Sequence, residues 1–348
     1  MNRKSSAVAR SLLLVAVVIF LQRPGFSHLE DYTPVSGSTP HLDQWDLTIA
    51  KWNLNPNIAG SKVTGSRTVA QVIQASFDAW NLAPNTILNI TPIARGGDTG
   101  NSFTAQDGVN TISFLCTGVN CDFTKDAETL GETFSYVANA AGQDNLHGGK
   151  TLFPGQIIDA DILFNPTVAF STDGAGSNVV DLQTVATHEV GHFFGMDHSA
   201  VVRAMMFPFA PNTQHNLSYD DVAGISNLYP KPTLDVPTGT IAGHVTQQSN
   251  GAPVFGAHVY ADSTLAGNAF ATAGFNNIRK TPIGTLTHGD GSYTLTGLPA
   301  DSYVIVAEPL DGPVSNSDIC NGGSGSSDYC QDFGNGQSLQ TNFTTRWH

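Results

Sequence analysis

The chain has 348 residues with 29 acidic and 15 basic side chains, so its formal net charge at pH 7 is −14. An acidic surface repels polyanions, which excludes nucleic acid as an expected partner. Because 40% of the residues are hydrophobic and only 13% are charged, the composition also excludes a disordered chain. The length predicts a main domain and a second, smaller module.

The N-terminus has the pattern of a secretory signal peptide. Basic residues within the first ten positions precede an apolar run from Leu12 to Leu21, and Gly25 and Ser27 are small residues in front of a cleavage point. The run is too short to cross a bilayer comfortably. We therefore expect residues 1–27 to be removed and the protein to be secreted to the extracellular space without stable insertion in a membrane. An uncleaved N-terminal anchor is the alternative.

Mixed α and β structure is predicted for residues 28–230. Apolar residues after Thr68 recur on one helical face, and Thr68 with Gln71 forms a capping box at the start of that helix. Ser218 can act as the N-cap of a later helix. Helices are predicted over residues 68–80, over residues 181–194 and from residue 218 onward, and strands over residues 108–115, 132–139 and 156–165.

Two acidic residues, Asp159 and Asp161, fall on one face of the strand predicted over residues 156–165. Carboxylates and loop carbonyls together can bind calcium, so Ca²⁺ is a second cofactor to consider. A solvated strand face is the alternative. His147 has no partner at ligand spacing and is interpreted as a surface loop residue.

The four cysteines form two close pairs in the sequence, Cys116 with Cys121 and Cys320 with Cys330. A local disulfide within each pair agrees with an oxidising, extracellular compartment. A zinc site built on these thiols is the alternative, but neither pair has the two-residue spacing of a zinc knuckle.

Residues 187–199, THEVGHFFGMDHS, contain the residues suited to catalysis. On a helix, His188 and His192 lie four positions apart and present two imidazoles to one ion. Glu189 is one position round the helix, where its carboxylate can hydrogen-bond a water on that ion without binding the ion itself. The spacing therefore predicts two metal ligands and a general base on one helix.

The end of this helix predicts a third ligand. Gly195 can adopt a positive φ and so end the helix in a sharp turn, which brings His198 back toward the other two imidazoles. Three neutral imidazoles leave the fourth tetrahedral position of a zinc ion open for water. This ligand set is typical of a catalytic zinc ion and not of a structural one.

A change of composition follows at residues 229–237, YPKPTLDVP, where three prolines predict a stiff linker over residues 231–237. Residues 238–310 have no helical period and predict a small antiparallel β-sandwich. The tail, residues 311–348, is rich in Gly, Ser and Asn and receives no assignment. Strands of the sandwich are predicted over residues 240–245, 254–260, 292–295 and 303–307.

The motif HExxHxxGxxH followed by a methionine turn is the metzincin signature. Residues 204–208, AMMFP, resemble the Met-turn of the matrixins, the family of the matrix metalloproteases, and Met206 corresponds to the methionine below the metal. Residues 217–225, LSYDDVAGI, are also similar to that family, and the resemblance covers residues 41–230 in outline. It implies an α+β, zincin-like fold for residues 28–230, with a mixed, twisted sheet and three main helices.

The region after the linker has a resemblance of its own. The segments GTIAGHV, GAPVFGAHV and DGSYTLTGLP look like the carboxypeptidase regulatory-like, transthyretin-like β-sandwich. That family is commonly an appended module without catalysis, which implies a stabilising or binding role.

Analogy with the matrixins also suggests a substrate pocket. Phe207, Pro208 and Phe209 would form a wall beside the zinc ion, and Val185 and Ala186 would line it. The pocket would accept an apolar or aromatic side chain just after the cleaved bond.

These observations predict a secreted zinc metalloendopeptidase that acts on proteins or peptides as a monomer. Zinc on the three imidazoles would activate a water, and Glu189 would accept its proton as general base. Because imidazole must be neutral to bind zinc, we expect zinc to be lost as the pH falls well below about 6.5. The alternative is a non-catalytic secreted adhesin or matrix-binding protein with a relic zinc site.

Overall fold

The computed structural model describes residues 15–16, 30–33, 40–58, 61–89, 93–99, 106–115, 129–310, 329–334 and 336–348. Of the predicted signal peptide only Val15–Ala16 falls in these ranges, as a short strand beside Val245. Removal of residues 1–27 remains a prediction. None of the helices in the described ranges is long and apolar enough to cross a bilayer.

The part before the linker combines strands with helices. Its strands are β1 (Val15–Ala16), β2 (Tyr32–Thr33), β3 (His41–Leu42), β4 (Gln44–Trp45), β5 (Trp52–Leu54), β6 (Lys62–Thr64), β7 (Arg95–Asp98), β8 (Thr111–Ser113), β9 (Gly131–Val137), β10 (Gly142–Asp144), β11 (Lys150–Leu152), β12 (Gln156–Phe164), β13 (Ala169–Ser171) and β14 (Val180–Asp181). Its helices are α1 (Val69–Asn81), α2 (Leu182–Phe193) and α3 (Tyr219–Leu228), with a 3-10 turn at Ile87–Asn89.

The main sheet of this part is mixed, as expected. Its strand order is β4-β12-β8-β5-β7, with β9 also paired to β12. β12 runs parallel to β4 and β8 but antiparallel to β9, and every residue of β12 is buried. The pairing sets Ile162 opposite Thr133, and β9 contacts α2. The sheet therefore presents the start of β9 to the helix that carries the metal motif.

Aromatic side chains fix α1 and α2 against each other. Phe77 of α1 meets Phe193 of α2 edge-on at 5.2 Å between ring centroids, and Trp45 stacks on Phe193 at 5.1 Å. The indole N–H groups of Trp45 and Trp80 donate to the backbone oxygens of Phe193 and Thr187, at 2.6 and 2.8 Å. Both bonds hold α2 by its main chain, so the helix cannot rotate without breaking them.

The helices predicted for this part are confirmed. α1 follows Thr68, whose hydroxyl accepts the Gln71 N–H while the Gln71 side chain accepts the Thr68 N–H. α2 lies within one residue of its predicted ends, and α3 starts directly after its predicted cap, Ser218. The strands predicted over residues 132–139 and 156–165 are confirmed as β9 and β12. The strand predicted over residues 108–115 is shorter, since only β8 forms there.

The predicted linker lies against the loop that contains Asn85. The N–H of Lys231 donates to the Asn85 carbonyl oxygen at 3.0 Å, and the N–H of Val236 donates to its side-chain oxygen at 2.9 Å. The Asn85 N–H in turn donates to Asp235 at 2.9 Å. The segment is thus held to the main part along its length.

Strands dominate the part after the linker. These are β15 (Thr238–Val245), β16 (His258–Ser263), β17 (Ile283–Leu286), β18 (Ser292–Pro299), β19 (Tyr303–Glu308) and β20 (Arg346–Trp347), with short helices α4 (Ala269–Thr272) and α5 (Tyr329–Phe333). They form two antiparallel sheets, β15-β18, to which β1 adds at the β15 edge, and β17-β16-β19-β20. A separate β-sandwich domain over residues 238–310 remains a prediction.

Most of the strands predicted here are confirmed, within β15, β18 and β19. The strand predicted over residues 254–260 is wrong in its first half, because Gly256 has φ +74° and β16 begins only at His258. The expected lack of helix is also wrong, since α4 interrupts the strands. Buried side chains of both parts, among them Val222 and Leu298, belong to one hydrophobic core.

Candidate metal centre

Helix α2 carries two of the three predicted metal ligands. Its N-cap is Asp181, whose carboxylate accepts the N–H of Thr184 at 2.9 Å and its hydroxyl at 2.6 Å. Since the four orphan N–H groups of a helix start need such acceptors, Asp181 stabilises the first turn. His188 and His192 follow on one face of the helix, with ring centroids 4.9 Å apart.

The turn after α2 brings the third predicted ligand close to the other two. Gly195 has φ +88°, a conformation that favours glycine, and its N–H donates to the His192 carbonyl oxygen. A Cβ at this position would also overlap the carbonyl oxygen of Asp43. The ring of His198 lies 5.3 Å from that of His188 and 4.9 Å from that of His192. The predicted helix-breaking role of Gly195 is therefore confirmed.

The ligand nitrogens of the three imidazoles converge. One nitrogen from each of His188, His192 and His198 lies within 4.8 Å of the others, and no other group of three or more His, Cys, Asp or Glu side chains among the described residues does so. The Nε2 atoms of His188 and His192 are 3.2 Å apart. Two zinc–nitrogen bonds of about 2.0–2.1 Å in a tetrahedron would separate their nitrogens by about 3.3 Å, so this spacing fits zinc.

The other ring nitrogen of each helix imidazole fixes its tautomer. Nδ1 of His188 is 2.8 Å from the Met205 carbonyl oxygen, and Nδ1 of His192 is 2.7 Å from that of Met196. A carbonyl oxygen can only accept, so each Nδ1 carries the proton and each Nε2 of the neutral ring presents a lone pair. Two lone pairs that face each other at 3.2 Å repel unless a cation lies between them.

Burial keeps these imidazoles neutral. It lowers the pKa of His188 to about 3, with a further contribution from His198, against the opposing effect of the bond to Met205. Burial and the two neighbouring imidazoles hold the pKa of His192 well below its ordinary value. Since only neutral imidazole binds a metal, both rings are ready to bind one at neutral pH.

Below the helix lies the predicted Met-turn. Met206 is 1% exposed, and a Cβ on Gly191 of α2 would overlap its sulfur, so the thioether packs directly against the helix. The N–H groups of Met205 and Met206 donate to the two carboxylate oxygens of Asp221, at 2.8 and 3.1 Å. Asp221 also completes the capping box of α3 with Ser218. One buried carboxylate thus ties the turn to α3.

Residues 132–230, which contain all of these features, match the model of the Matrixin family. Over these residues the chain is therefore similar to the matrixins.

Metalloproteinases of other organisms are similar to the chain over short stretches. The chain is 47% identical over 64 residues to Metalloendoproteinase 1-MMP of Arabidopsis thaliana, which is 18% of each chain. It is 39% identical over 94 residues to stromelysin-1 of Mus musculus, 24% of this chain and 19% of that protein, and 40% identical over 63 residues to karilysin of Tannerella forsythia, 18% of this chain and 13% of that protein. The chain thus spans less than a fifth of the length of these relatives.

The predicted general base directly follows His188 in the chain and lies deep in the protein. Glu189 is 5% exposed. Burial raises the pKa of its carboxyl to about 7, the nearby Glu132 acts in the same direction, and a hydrogen bond from Thr133 acts against them. A carboxylate with a pKa near the operating pH is suited to accept a proton and to release it again.

Thr133 is a contact of Glu189 that sequence reasoning missed. Its hydroxyl lies 2.7 Å from Glu189 Oε2 and 3.0 Å from the Glu189 carbonyl oxygen. The single hydroxyl proton goes to the carboxylate, which is the stronger acceptor. Gly131, on the same strand, passes so close that a Cβ would lie 3.0 Å from Glu189 Oε1. Threonine is common in strands, so no sequence signal marks Thr133, and only the packing of β9 against α2 reveals the contact.

The residues proposed for the substrate pocket differ in exposure. Phe209 is 51% exposed, and its ring centroid is 5.9 Å from that of the partly buried Phe207; Pro208 between them is also partly buried. Val185 is 3% exposed and Ala186 is fully buried, both as part of the core. The pocket remains a prediction, with Phe209 as its most accessible member.

Asp159 and Asp161 do not form a solvated strand face, since they are 0% and 1% exposed. Asp159 Oδ2 accepts the N–H groups of Asp107 and Gly108 at 2.7 and 3.1 Å, and Asp161 Oδ1 accepts that of Thr111 at 2.6 Å. That alternative is therefore wrong: Asp159 fixes the loop before β8, and Asp161 binds the first residue of β8. Calcium has no support here, because the described residues hold no acidic ligand cluster.

His147 lies in the exposed turn between β10 and β11, as predicted, but its imidazole is partly buried and has partners. Its side chain is 13% exposed, and Nδ1 lies 2.8 Å from Asp144 Oδ2. Nε2 is 3.3 Å from the Gly108 carbonyl oxygen. The imidazole therefore links its own turn to the loop that contains Gly108.

The predicted disulfides remain predictions. Cys330 is disulfide-bonded. Cys116, Cys121 and Cys320 lie outside the described residues.

Proposed function

We propose that this protein is a secreted, zinc-dependent metalloendopeptidase that hydrolyses peptide bonds in proteins. The observation that carries the proposal is the pair of Nε2 atoms of His188 and His192, 3.2 Å apart with both Nδ1 atoms bonded to carbonyl oxygens. A metal ion shared by the two Nε2 lone pairs makes that arrangement favourable. The metalloproteinase relatives and the matrixin match support the same reaction class.

His188, His192 and His198 would hold the zinc ion, which supplies Lewis acidity when bound. Glu189 accepts the proton of the attacking water at its carboxylate and delivers it to the leaving amine. Thr133 orients that carboxylate through the bond to Oε2.

Secretion is proposed from residues 1–27, which have the pattern of a signal peptide, and from the close spacing of the cysteines in pairs. For residues 238–310 we propose a β-sandwich without catalytic residues. The monomeric state is proposed as well.

The experiment is to replace Glu189 by glutamine in the full chain. The amide keeps the size of the side chain but cannot accept the proton, so casein hydrolysis should fall at least about 100-fold while zinc content stays at one per chain. Asp262→Asn, an exposed carboxylate on β16, is the matched control and should retain activity.

Three outcomes separate the alternatives. Wild-type hydrolysis that stops on adding a chelator and returns with zinc supports the proposal. Full activity in Glu189→Gln at full zinc content contradicts the role of Glu189. A zinc-loaded wild-type chain that cleaves no member of a mixed peptide library would favour the non-catalytic adhesin.

A further inference from the structure

A buried carboxylate joins the part after the linker to the metal ligand His198. Asp220 of α3 is 2% exposed. Its Oδ1 accepts the N–H of Gly284 on β17 at 2.8 Å, and its Oδ2 accepts the hydroxyl of Ser199 at 2.6 Å. Ser199 directly follows His198. One oxygen of the Asp220 carboxylate therefore binds β17, and the other binds the residue next to His198.

The contact at Gly284 is tight. A Cβ there would lie 2.6 Å from Val201 Cγ2 and 2.7 Å from His258 Nε2. Val201 belongs to residues 199–207, which we call the Met-turn loop, and it is 3% exposed. Strand β17 therefore touches this loop directly as well as through Asp220.

Apolar packing extends the contact along the Met-turn loop. Ala200 and Phe207 pack against a buried cluster made by residues after the linker. The cluster consists of Phe255, Leu286, Leu310 and Tyr329. Both ends of the loop between the third ligand and the Met-turn thus rest on the second part of the chain.

Helix α3, which carries Asp220, is itself fixed to that part. The N–H of Tyr219 donates to the Arg279 carbonyl oxygen at 2.9 Å, and the N–H of Arg279 donates to the Leu217 carbonyl oxygen at 2.8 Å. The Tyr219 hydroxyl accepts the N–H of Ala269 at 2.6 Å. Asp220 therefore cannot shift toward Ser199 without moving these bonds too.

We propose that strand β17, acting through Asp220, positions His198 for metal binding. A hydrogen bond to a buried carboxylate is charge-assisted, and losing one donor leaves that charge partly unsatisfied. Asp220 would then reorient, and the Ser199 hydroxyl and the backbone of His198 would move with it. Gly284 and Asp220 are positioning residues, and the part after the linker is a structural element of the zinc site.

The test uses the full-length zinc protein and measures the rate at which zinc passes to an excess of a chromogenic chelator. Gly284→Ala forces β17 away from Val201, whereas Gly239→Ala on β15 is the matched control, because a Cβ there meets nothing within 4 Å. Groups that support metal ligands typically contribute 10–100-fold to metal affinity, so zinc release should accelerate about tenfold in Gly284→Ala only. The visible spectrum of the cobalt-substituted protein should change in the same variant.

Two results would overturn the proposal. One is equal zinc release from Gly284→Ala and Gly239→Ala, even if the thermal midpoint of the former is lower, because that describes a purely structural contact. If Gly284→Ala does not fold, Ser199→Ala decides, since it removes the bond to Asp220 without adding volume. Zinc release from Ser199→Ala at the wild-type rate is the other overturning result.

The inference rests on the proposed zinc site, but the two fail differently. A wild-type chain that binds no zinc refutes the proposed function itself. A wild-type chain that binds zinc, with release unaffected by either variant, refutes only the role of β17.

Discussion

Replacing Thr133 by valine tests how Glu189, the proposed general base, is held in place. Valine keeps the size and branching of the side chain but removes the hydroxyl that donates to Glu189 Oε2 at 2.7 Å. A hydrogen bond to a charged group contributes about 1.5–3 kcal/mol, which corresponds to about 10- to 150-fold in rate. Since Thr133 is only half-buried, water can take over part of this role, so we expect kcat to fall about tenfold.

The bond also affects the pKa of Glu189. It lowers that pKa, so its loss raises the pKa further above the ordinary carboxyl range. Glu189 must be deprotonated to accept a proton, and the acid limb of the kcat/KM profile should therefore move to higher pH in Thr133→Val.

Steady-state assays on a fluorogenic peptide at several pH values give kcat and KM separately, with zinc content measured on the same samples. Thr133→Ser is the control, because it retains the hydroxyl and should keep most of the activity. Equal kcat in the valine variant and the wild type at full zinc content would refute the positioning role. Equal loss in the serine and valine variants would show instead that the methyl group matters.

Three further predictions concern the zinc site. Gly195→Ala should lower both the thermal midpoint and the zinc content, because strain at φ +88° costs about 1–3 kcal/mol and the new Cβ overlaps Asp43. Thermal unfolding of this variant is compared with that of Gly142→Ala, an exposed control position. An unchanged midpoint in Gly195→Ala would contradict the prediction. The pKa of His188 is about 3 in the folded chain, below its ordinary 6.5. As the pH falls, the unfolded chain therefore takes up a proton at this imidazole before the folded chain does. The free energy of unfolding is unaffected above pH 6.5 and decreases as the pH falls from 6.5 toward 3. Protons should therefore not displace zinc from His188 at pH 6.5, and half-loss of zinc near pH 6.5 after stepwise dialysis would oppose this. Removing zinc with a chelator should lower the thermal midpoint. If free zinc had been 100 times its Kd, the free energy of unfolding falls by about 2.7 kcal/mol. Equal midpoints in calorimetry with and without zinc would contradict binding of zinc to the folded state.

The convergence of the three imidazoles could be predicted from the sequence because its geometry is local. Four-residue spacing on a helix brings His188 and His192 together, and a glycine in the left-handed region returns His198. Neither step needs any contact distant in the chain. Helix caps such as Thr68 and Ser218 were predictable for the same reason.

Contacts between distant segments could not be predicted. Thr133 lies 56 residues before Glu189, and Gly284 lies 64 residues after Asp220. The alternation in β12 placed Asp159 and Asp161 on a common face, but it could not show that the sheet is covered on that side too.

A run of apolar residues in the sequence likewise predicts burial more reliably than it predicts a β-strand. Val254 and Phe255 are buried as a strand would require, yet the positive φ of Gly256 keeps them out of β16. Strand β17 was missed because it has four residues and contains Gly284, a residue type that is depleted in strands.

The indole bonds to α2 offer an optical consequence. Trp45 and Trp80 donate to main-chain oxygens of the helix that carries His188 and His192, so their emission should respond when this helix loosens. Trp347 is 75% exposed and can be silenced selectively with a soluble quencher such as iodide. Unlabelled protein would then report the state of its own metal helix by fluorescence.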